Sequence, residues 1–343
     1  MQRKYNLKNT SSGGVYVTKE KLLEVSDLSI SFQKKKSDIP IVQGVSFTIH
    51  KGEIIGVVGE SGCGKSVTSL ALMGLNANTR TKGRILFQEK NLLMQSEKEW
   101  RHMRGNEIAM IFQEPMTSLN PLFTIGDQLI EALSSHTNRH KKQAAEKAVR
   151  MLETVGLPRA DQLMKQYPHE LSGGMRQRVM IAMALICDPK LLIADEPTTA
   201  LDVTIQAQIL SLLKKMNTAF QTAILLITHD LGVVHNTCRR VMIMYAGRIV
   251  EEGSVAAIFA DPKHPYTKGL FASIPAFTRK SERLTSIEGQ VPKPGTIKKG
   301  CMFAPRCPHK VDRCVQEEPQ LGRLHDEHAV RCFLYEEEGG TDD

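Results

Sequence analysis

The stretch Gly59-Glu60-Ser61-Gly62-Cys63-Gly64-Lys65-Ser66 satisfies the pattern G-x-x-x-x-G-K-[ST] at every fixed position. It stands between the β-branched run Ile54-Ile55-Gly56-Val57-Val58 and an apolar helical pattern over residues 67–73. Strand, glycine-rich loop and helix in that order are the grammar of an α/β nucleotide-binding unit. Glycines let the backbone curl so that successive N–H groups face a phosphate. The helix that starts there adds the positive end of its dipole. Lys65 supplies a point charge to the β- and γ-phosphates, and the Ser66 hydroxyl supplies a ligand for Mg²⁺. Gly59, Ser61, Gly62, Cys63, Gly64, Lys65, Ser66 and Val67 are therefore the expected phosphate-binding residues. Cys63 falls at a variable position of the pattern, where a reachable thiol would make nucleotide binding sensitive to thiol reagents.

Outward from the loop the chain repeats the same alternation. Leu191-Leu192-Ile193-Ala194 reads as a second buried strand and ends in Asp195-Glu196. Phosphoryl transfer asks mainly for positioning and charge neutralisation. Asp195 is thus expected to hold Mg²⁺, through water, and Glu196 to polarise the attacking water. A third buried strand covers residues 223–227, after a helix over 205–220, and a strand pair over 241–244 and 248–251 turns across Ala246-Gly247. Strand patterns also cover residues 22–25, 28–32 and 41–49, whereas 120–166 is mostly helical, chiefly over 125–133 and 141–155. Strands alternating with helices imply a mainly parallel sheet covered on both faces.

Composition bounds what this unit serves. The chain has 343 residues, 41% hydrophobic and 24% charged, which excludes disorder as the main state. The longest apolar run, residues 179–187, is about half of the ~20 residues a bilayer crossing needs. The polar N-terminus lacks the apolar core of a signal peptide, so the chain is expected to stay in the cytosol. The formal charge of +8 suits nucleotide phosphates, an anionic membrane face or nucleic acid, but an aromatic content of 5% argues against a base-stacking single-strand binder. Eight of the 15 prolines fall after residue 256, which places a boundary near Val255. The expected domains are a polar tail over 1–20, a nucleotide-binding domain over 21–255 and an extension over 256–343.

Leu171-Ser172-Gly173-Gly174-Met175-Arg176-Gln177 resembles the signature motif of ABC-type ATPases, and the other family motifs follow in order. Gln113 in Ile111-Phe112-Gln113-Glu114-Pro115 matches the glutamine loop, Ala200-Leu201-Asp202 the D-loop, and His229 in Ile227-Thr228-His229-Asp230 the switch histidine. Phe32 lies where the family carries an adenine-stacking aromatic, usually tyrosine. The run from Gln113 to Pro121, Met175 and His264-Pro265-Tyr266-Thr267 look like the oligopeptide/dipeptide branch of bacterial importers.

The resemblance implies a P-loop core of RecA type with an antiparallel β subdomain and a helical subdomain, followed by a small cysteine-containing extension. It implies head-to-tail pairing, in which Ser172, Gly173 and Gly174 of one subunit close on the ATP held by the other. Gln113 would sense γ-phosphate and Mg²⁺, His229 would contact the γ-phosphate, and Asp202 would reach across the dimer. The implied partners are a second, non-identical ATPase subunit, two transmembrane permease subunits and an extracytoplasmic peptide-binding protein, at the cytoplasmic face of the membrane and without nucleic acid. Nickel or another small solute is the competing cargo. A DNA-repair ATPase is disfavoured, since only about a hundred residues separate Lys65 from Ser172, with no heptad run long enough for a coiled coil.

The extension carries Cys301, Cys307, Cys314 and Cys332. Their spacing fits neither zinc-ribbon nor ferredoxin patterns, and leaves zinc, an iron–sulfur cluster and free thiols open. The resemblance to the peptide-importer branch implies a [4Fe–4S] cluster on these four cysteines, with zinc as the runner-up.

Overall fold

Among the described residues two sheets organise the chain. In sequence order the strands are β1 (Lys21–Phe32), β2 (Ile39–His50), β3 (Ile54–Val58), β4 (Thr79–Phe87), β5 (Lys90–Asn91), β6 (Ile108–Ile111), β7 (Leu191–Asp195), β8 (Ala223–Thr228), β9 (Arg240–Tyr245), β10 (Arg248–Ser254), β11 (Gly322–His325) and β12 (His328–Val330). A computed structural model describes residues 20–34, 37–113, 118–137, 140–199, 201–273, 287–325 and 328–336. The tail expected over residues 1–20 lies, except for Glu20, outside them, as do residues 114–117 of the glutamine-loop stretch and Ala200 of the D-loop motif.

The larger sheet has the order β11-β12-β10-β9-β3-β8-β7-β6. Its five strands from β9 to β6 are parallel, and the β10–β12–β11 edge is antiparallel. Alternation along the parallel strands builds two cores from one sheet. Ile55, Val57, Leu191, Ile193, Leu225 and Ile227 point into a core shared with the smaller antiparallel sheet, β2-β1-β4-β5. Ile54, Val58, Leu192, Ala194, Ile224 and Leu226 point the other way, into a core shared with the helices. That double burial is why these strands read as continuous apolar runs.

The helices depart from the sequence pattern chiefly at their starts. The helix after the loop spans Lys65–Leu72. The helix that carries the apolar run from Val179 begins six residues before it, spanning Gly173–Leu185, because Ser172 caps it by accepting the Met175 N–H at 3.4 Å. Arg176, Gln177 and Arg178 had hidden this first turn, yet Gln177 is buried and donates to the Pro197 carbonyl at 2.5 Å.

Residues beyond Val255 do not pack as an island. Val255, Ile258, Tyr266, Phe271 and Phe303 join the core of the helical face. β12 pairs with β10 through Glu251 and Val330. The fully buried Glu251 accepts the backbone N–H groups of Lys263 (2.7 Å) and His264 (2.9 Å) and lies 2.7 Å from His328 Nε2. Burial pushes His264 down to about 4, so it stays neutral and its Nδ1 caps the helix Pro265–Ala272 by accepting the Tyr266 N–H. This accounts for the His264-Pro265-Tyr266 motif in structural terms.

Leu226 on the central β8 is fully buried. Leu226→Ala is expected to cost about 2–5 kcal/mol of stability, read as a lower denaturant midpoint with an unchanged slope.

Candidate nucleotide site

The carboxyl ends of three adjacent parallel strands meet at one crevice, the position where open α/β sheets bind ligands. The loop follows β3, Asp195 ends β7, and His229 follows β8. Gly59 is obligatory there, since a Cβ would lie 2.1 Å from the Met244 carbonyl oxygen. Gly64 takes φ 106° as it enters the helix, a conformation that favours glycine. Lys65 is buried and its Nζ donates to the carbonyls of Gly59 (2.7 Å) and Glu60 (3.1 Å), so its ammonium lies inside the curl of the loop. Ser61, Gly62 and Ser66 are exposed at the loop's open face, and Val67 is half-buried behind them. Cys63 is buried and its thiol is pushed up by burial, against the pull of Lys65. It is therefore poorly disposed toward thiol reagents.

Asp195 is buried beneath Ser66 and Ser69, with Ser69 Oγ 3.4 Å from Oδ2. Burial pushes its carboxyl up, Glu196 adds in the same direction, and Ser66, Lys65 and Ser69 oppose. Among the described residues its Oδ1 has no hydrogen-bond partner. An unpartnered buried carboxylate oxygen beside a serine hydroxyl suits a hard divalent cation, so the donor set fits Mg²⁺.

Glu196 sits one residue beyond the strand with φ 47°, a strained value for a residue with a side chain. Its Oε2 accepts from Gln113 Nε2 at 3.2 Å and from Thr199 Oγ1 at 2.8 Å, and its Oε1 lies 3.4 Å from His229 Nδ1. Gln113 and His229, singled out separately in the sequence, thus converge on the carboxylate of Glu196. Thr199 was missed, because a threonine in a turn carries no pattern of its own.

Phe32 is exposed at the end of β1. Ser172 and Gly173 are exposed at the start of their helix. Asp202 caps the helix Val203–Phe220, with Oδ1 accepting the Ile205 N–H at 2.9 Å. Among the described residues these groups face solvent, as an inter-subunit role would require.

The four cysteines of the extension require a correction. Cys301, Cys307, Cys314 and Cys332 line one cavity of about 170 Å³ together with Phe303, Val311, Phe333 and Leu334. Burial pushes Cys307 up and raises Cys301 and Cys332 to about 11, so these thiols rest in the neutral form. Among the described residues no group of three or more His, Cys, Asp or Glu is disposed to hold a metal ion. The expected [4Fe–4S] cluster, like the zinc alternative, is not supported; the residues are free thiols in an apolar pocket.

Comparison with known proteins agrees with the geometry. The ABC transporter family matches residues 42–199, and the C-terminal region of oligopeptide/dipeptide transporters matches residues 250–314. The chain is 55% identical to the oligopeptide transport ATP-binding protein AppD of Bacillus subtilis, over 93% of this chain and 98% of that one. It is 50% identical to the dipeptide transport ATP-binding protein DppD of the same organism, over 93% and 96%. It is 49% identical to the oligopeptide transport ATP-binding protein OppD of Salmonella typhimurium, over 92% and 95%. Among solved structures, the ATP-binding cassette MJ0796, a post-hydrolysis dimer bound to ADP and Pi, matches with TM-score 0.62 at 25% identity, over 68% of this chain and 99% of that one. The cbiO1 protein of Clostridium perfringens, part of an ABC transporter complex, matches with TM-score 0.62 at 27% identity, over 71% and 92%. The chain belongs to the ATP-binding proteins of ABC transporters, and among them to the oligopeptide/dipeptide branch.

The buried Asp195 charge opposes folding. Asp195→Asn is therefore expected to raise the denaturation midpoint of the nucleotide-free protein at neutral pH. The raised carboxyl sets the sign. Relative to the variant, the wild type loses stability as pH rises from the ordinary carboxylate range, about 3.9, through the raised native value, and the gap is constant above it. Denaturation midpoints of both proteins from acid to neutral pH check this.

Proposed function

We infer that the chain is the ATP-hydrolysing subunit of an importer for oligopeptides or dipeptides. The observation that carries the reading is the convergence of Gln113, Thr199 and His229 on Glu196, beside the phosphate loop and the unpartnered oxygen of Asp195. Family membership and the names of the relatives support the cargo.

Lys65 turns from the loop carbonyls to the β- and γ-phosphates as the loop N–H groups take up the β-phosphate. Phe32 stacks on adenine. Ser66, Asp195 and Gln113 would hold Mg²⁺, which would supply charge neutralisation on the phosphates. Glu196 accepts a proton from the attacking water and orients it in line with the γ-phosphate. Gln113 and Thr199 fix the carboxylate's direction, and His229 contacts the γ-phosphate. Ser172, Gly173 and Gly174 at a helix start form an anion site that the chain's own loop does not use. They complete the ATP site of a second ATPase subunit, and Asp202 reaches across the same interface.

Among the described residues no helix is long and apolar enough to cross a membrane. Two permease subunits supply the path, an extracytoplasmic binding protein delivers peptide, and this chain lies peripherally at the cytoplasmic face.

Glu196→Gln is expected to keep MgATP binding while turnover in the assembled transporter falls at least about 10²-fold, the usual worth of a positioned general base. Wild-type turnover would remove Glu196 from that role. Labelled-peptide uptake should be blocked by excess unlabelled peptide and indifferent to nickel; the reverse pattern would assign the competing cargo.

A further inference from the structure

Glu60 occupies the second position of the phosphate loop, which the motif leaves free, and the segment beyond Val255 holds it at two points. Its backbone N–H donates to Tyr266 Oη at 2.9 Å. Its carboxylate accepts from Arg306 Nη1 at 3.2 Å (Oε1) and 3.0 Å (Oε2). Its carbonyl accepts from Lys65 Nζ at 3.1 Å, so one residue touches both the phosphate-seeking lysine and the arginine of the extension.

The arginine is itself fixed. Its side chain is only 6% exposed, its Nε donates to the Glu288 carbonyl at 2.8 Å, and its Nη2 donates to the Ile287 carbonyl at 3.1 Å. The aromatic rings beneath it are packed, with Tyr245 4.6 Å from Tyr266 and 5.2 Å from Phe303, centroid to centroid. A rigid cation is thus aimed at the only acid of a loop that must accept a triphosphate. An unpaired carboxylate there would repel the incoming phosphates and attract the Lys65 ammonium needed for them.

We propose that Arg306 and Tyr266 are positioning residues of the nucleotide site. Arg306 neutralises Glu60, Tyr266 orients the Gly59–Glu60 peptide, and together they keep the loop open to phosphate. The extension thereby sets the nucleotide affinity of the domain that precedes it. This rests on reading residues 59–66 as the ATP site.

The test is calorimetric titration of the full chain with MgATP and with MgADP, alongside thermal denaturation without nucleotide. Arg306→Ala is expected to weaken both nucleotides about three- to tenfold, the scale of a partly buried two-point charge pair. Glu60→Gln alone is expected to bind at least as well as wild type, and the double variant Glu60→Gln with Arg306→Ala to regain wild-type affinity. Tyr266→Phe should weaken binding without altering its salt dependence. A pair that merely staples the extension to the core predicts otherwise: both single variants and the double would lose thermal stability, with no recovery of affinity. That result overturns the proposal. Wild-type affinity in Arg306→Ala while Lys65→Ala has lost binding also overturns it and leaves the ATP site standing. Wild-type affinity in Lys65→Ala would instead overturn the site reading itself.

Discussion

Parallel pairing of β3 with β8, and of β8 with β7, is the constraint on which the rest depends. These strands are buried on both faces, so their register is held by two cores at once. That register brings the ends of the strands to one edge, and everything chemical follows from it. The phosphate loop leaves β3, Asp195 ends β7, and His229 follows β8. A one-residue slip in β7 would exchange its inward and outward faces and carry Asp195 away from Ser66.

Electrostatics at that edge is unbalanced in the nucleotide-free chain. Asp195 is buried with one oxygen unpartnered, Lys65 folds back onto backbone carbonyls, and Glu196 holds a left-handed backbone conformation. The unpartnered acid and the left-handed Glu196 work against folding, and the proposed ATP site gives these residues, with Lys65, a cation, a water and a phosphate to meet. Such features concentrate where function rather than stability selects the residue. Around them the structure compensates with well-satisfied elements, among them the fully buried Glu251 with its backbone donors and the capped helix at Ser172.

Much of this was legible in the sequence, for physical reasons that differ by residue. The phosphate loop is readable because backbone curvature demands glycine at fixed spacing. The parallel strands are readable because burial on both faces demands unbroken apolar runs. β4 was not readable: Thr79-Arg80-Thr81-Lys82-Gly83-Arg84 is polar, and its strand character comes from pairing with β1. β11 and β12 are too short to show a period. The early start of the signature helix was masked by arginines and by a buried glutamine whose partner is a distant carbonyl. Thr199 and the Arg306–Glu60 pair depend on tertiary contacts, the latter spanning 246 positions, and no local pattern encodes them. The cysteines mislead in the opposite sense. Their spacing left zinc, a cluster and free thiols open and the family resemblance implied a cluster, but the pocket they line is apolar and its burial favours the neutral thiol.

The central claim is that ATP hydrolysis at this edge drives peptide across a membrane. It is tested most directly in sealed vesicles containing this chain with its permease subunits and second ATPase, with binding protein and labelled peptide on the far side. The account predicts peptide accumulation against its gradient, in a constant ratio to phosphate released, and none of it without ATP. Phosphate release at the same rate with no peptide movement, or peptide accumulation without ATP consumption, would contradict it.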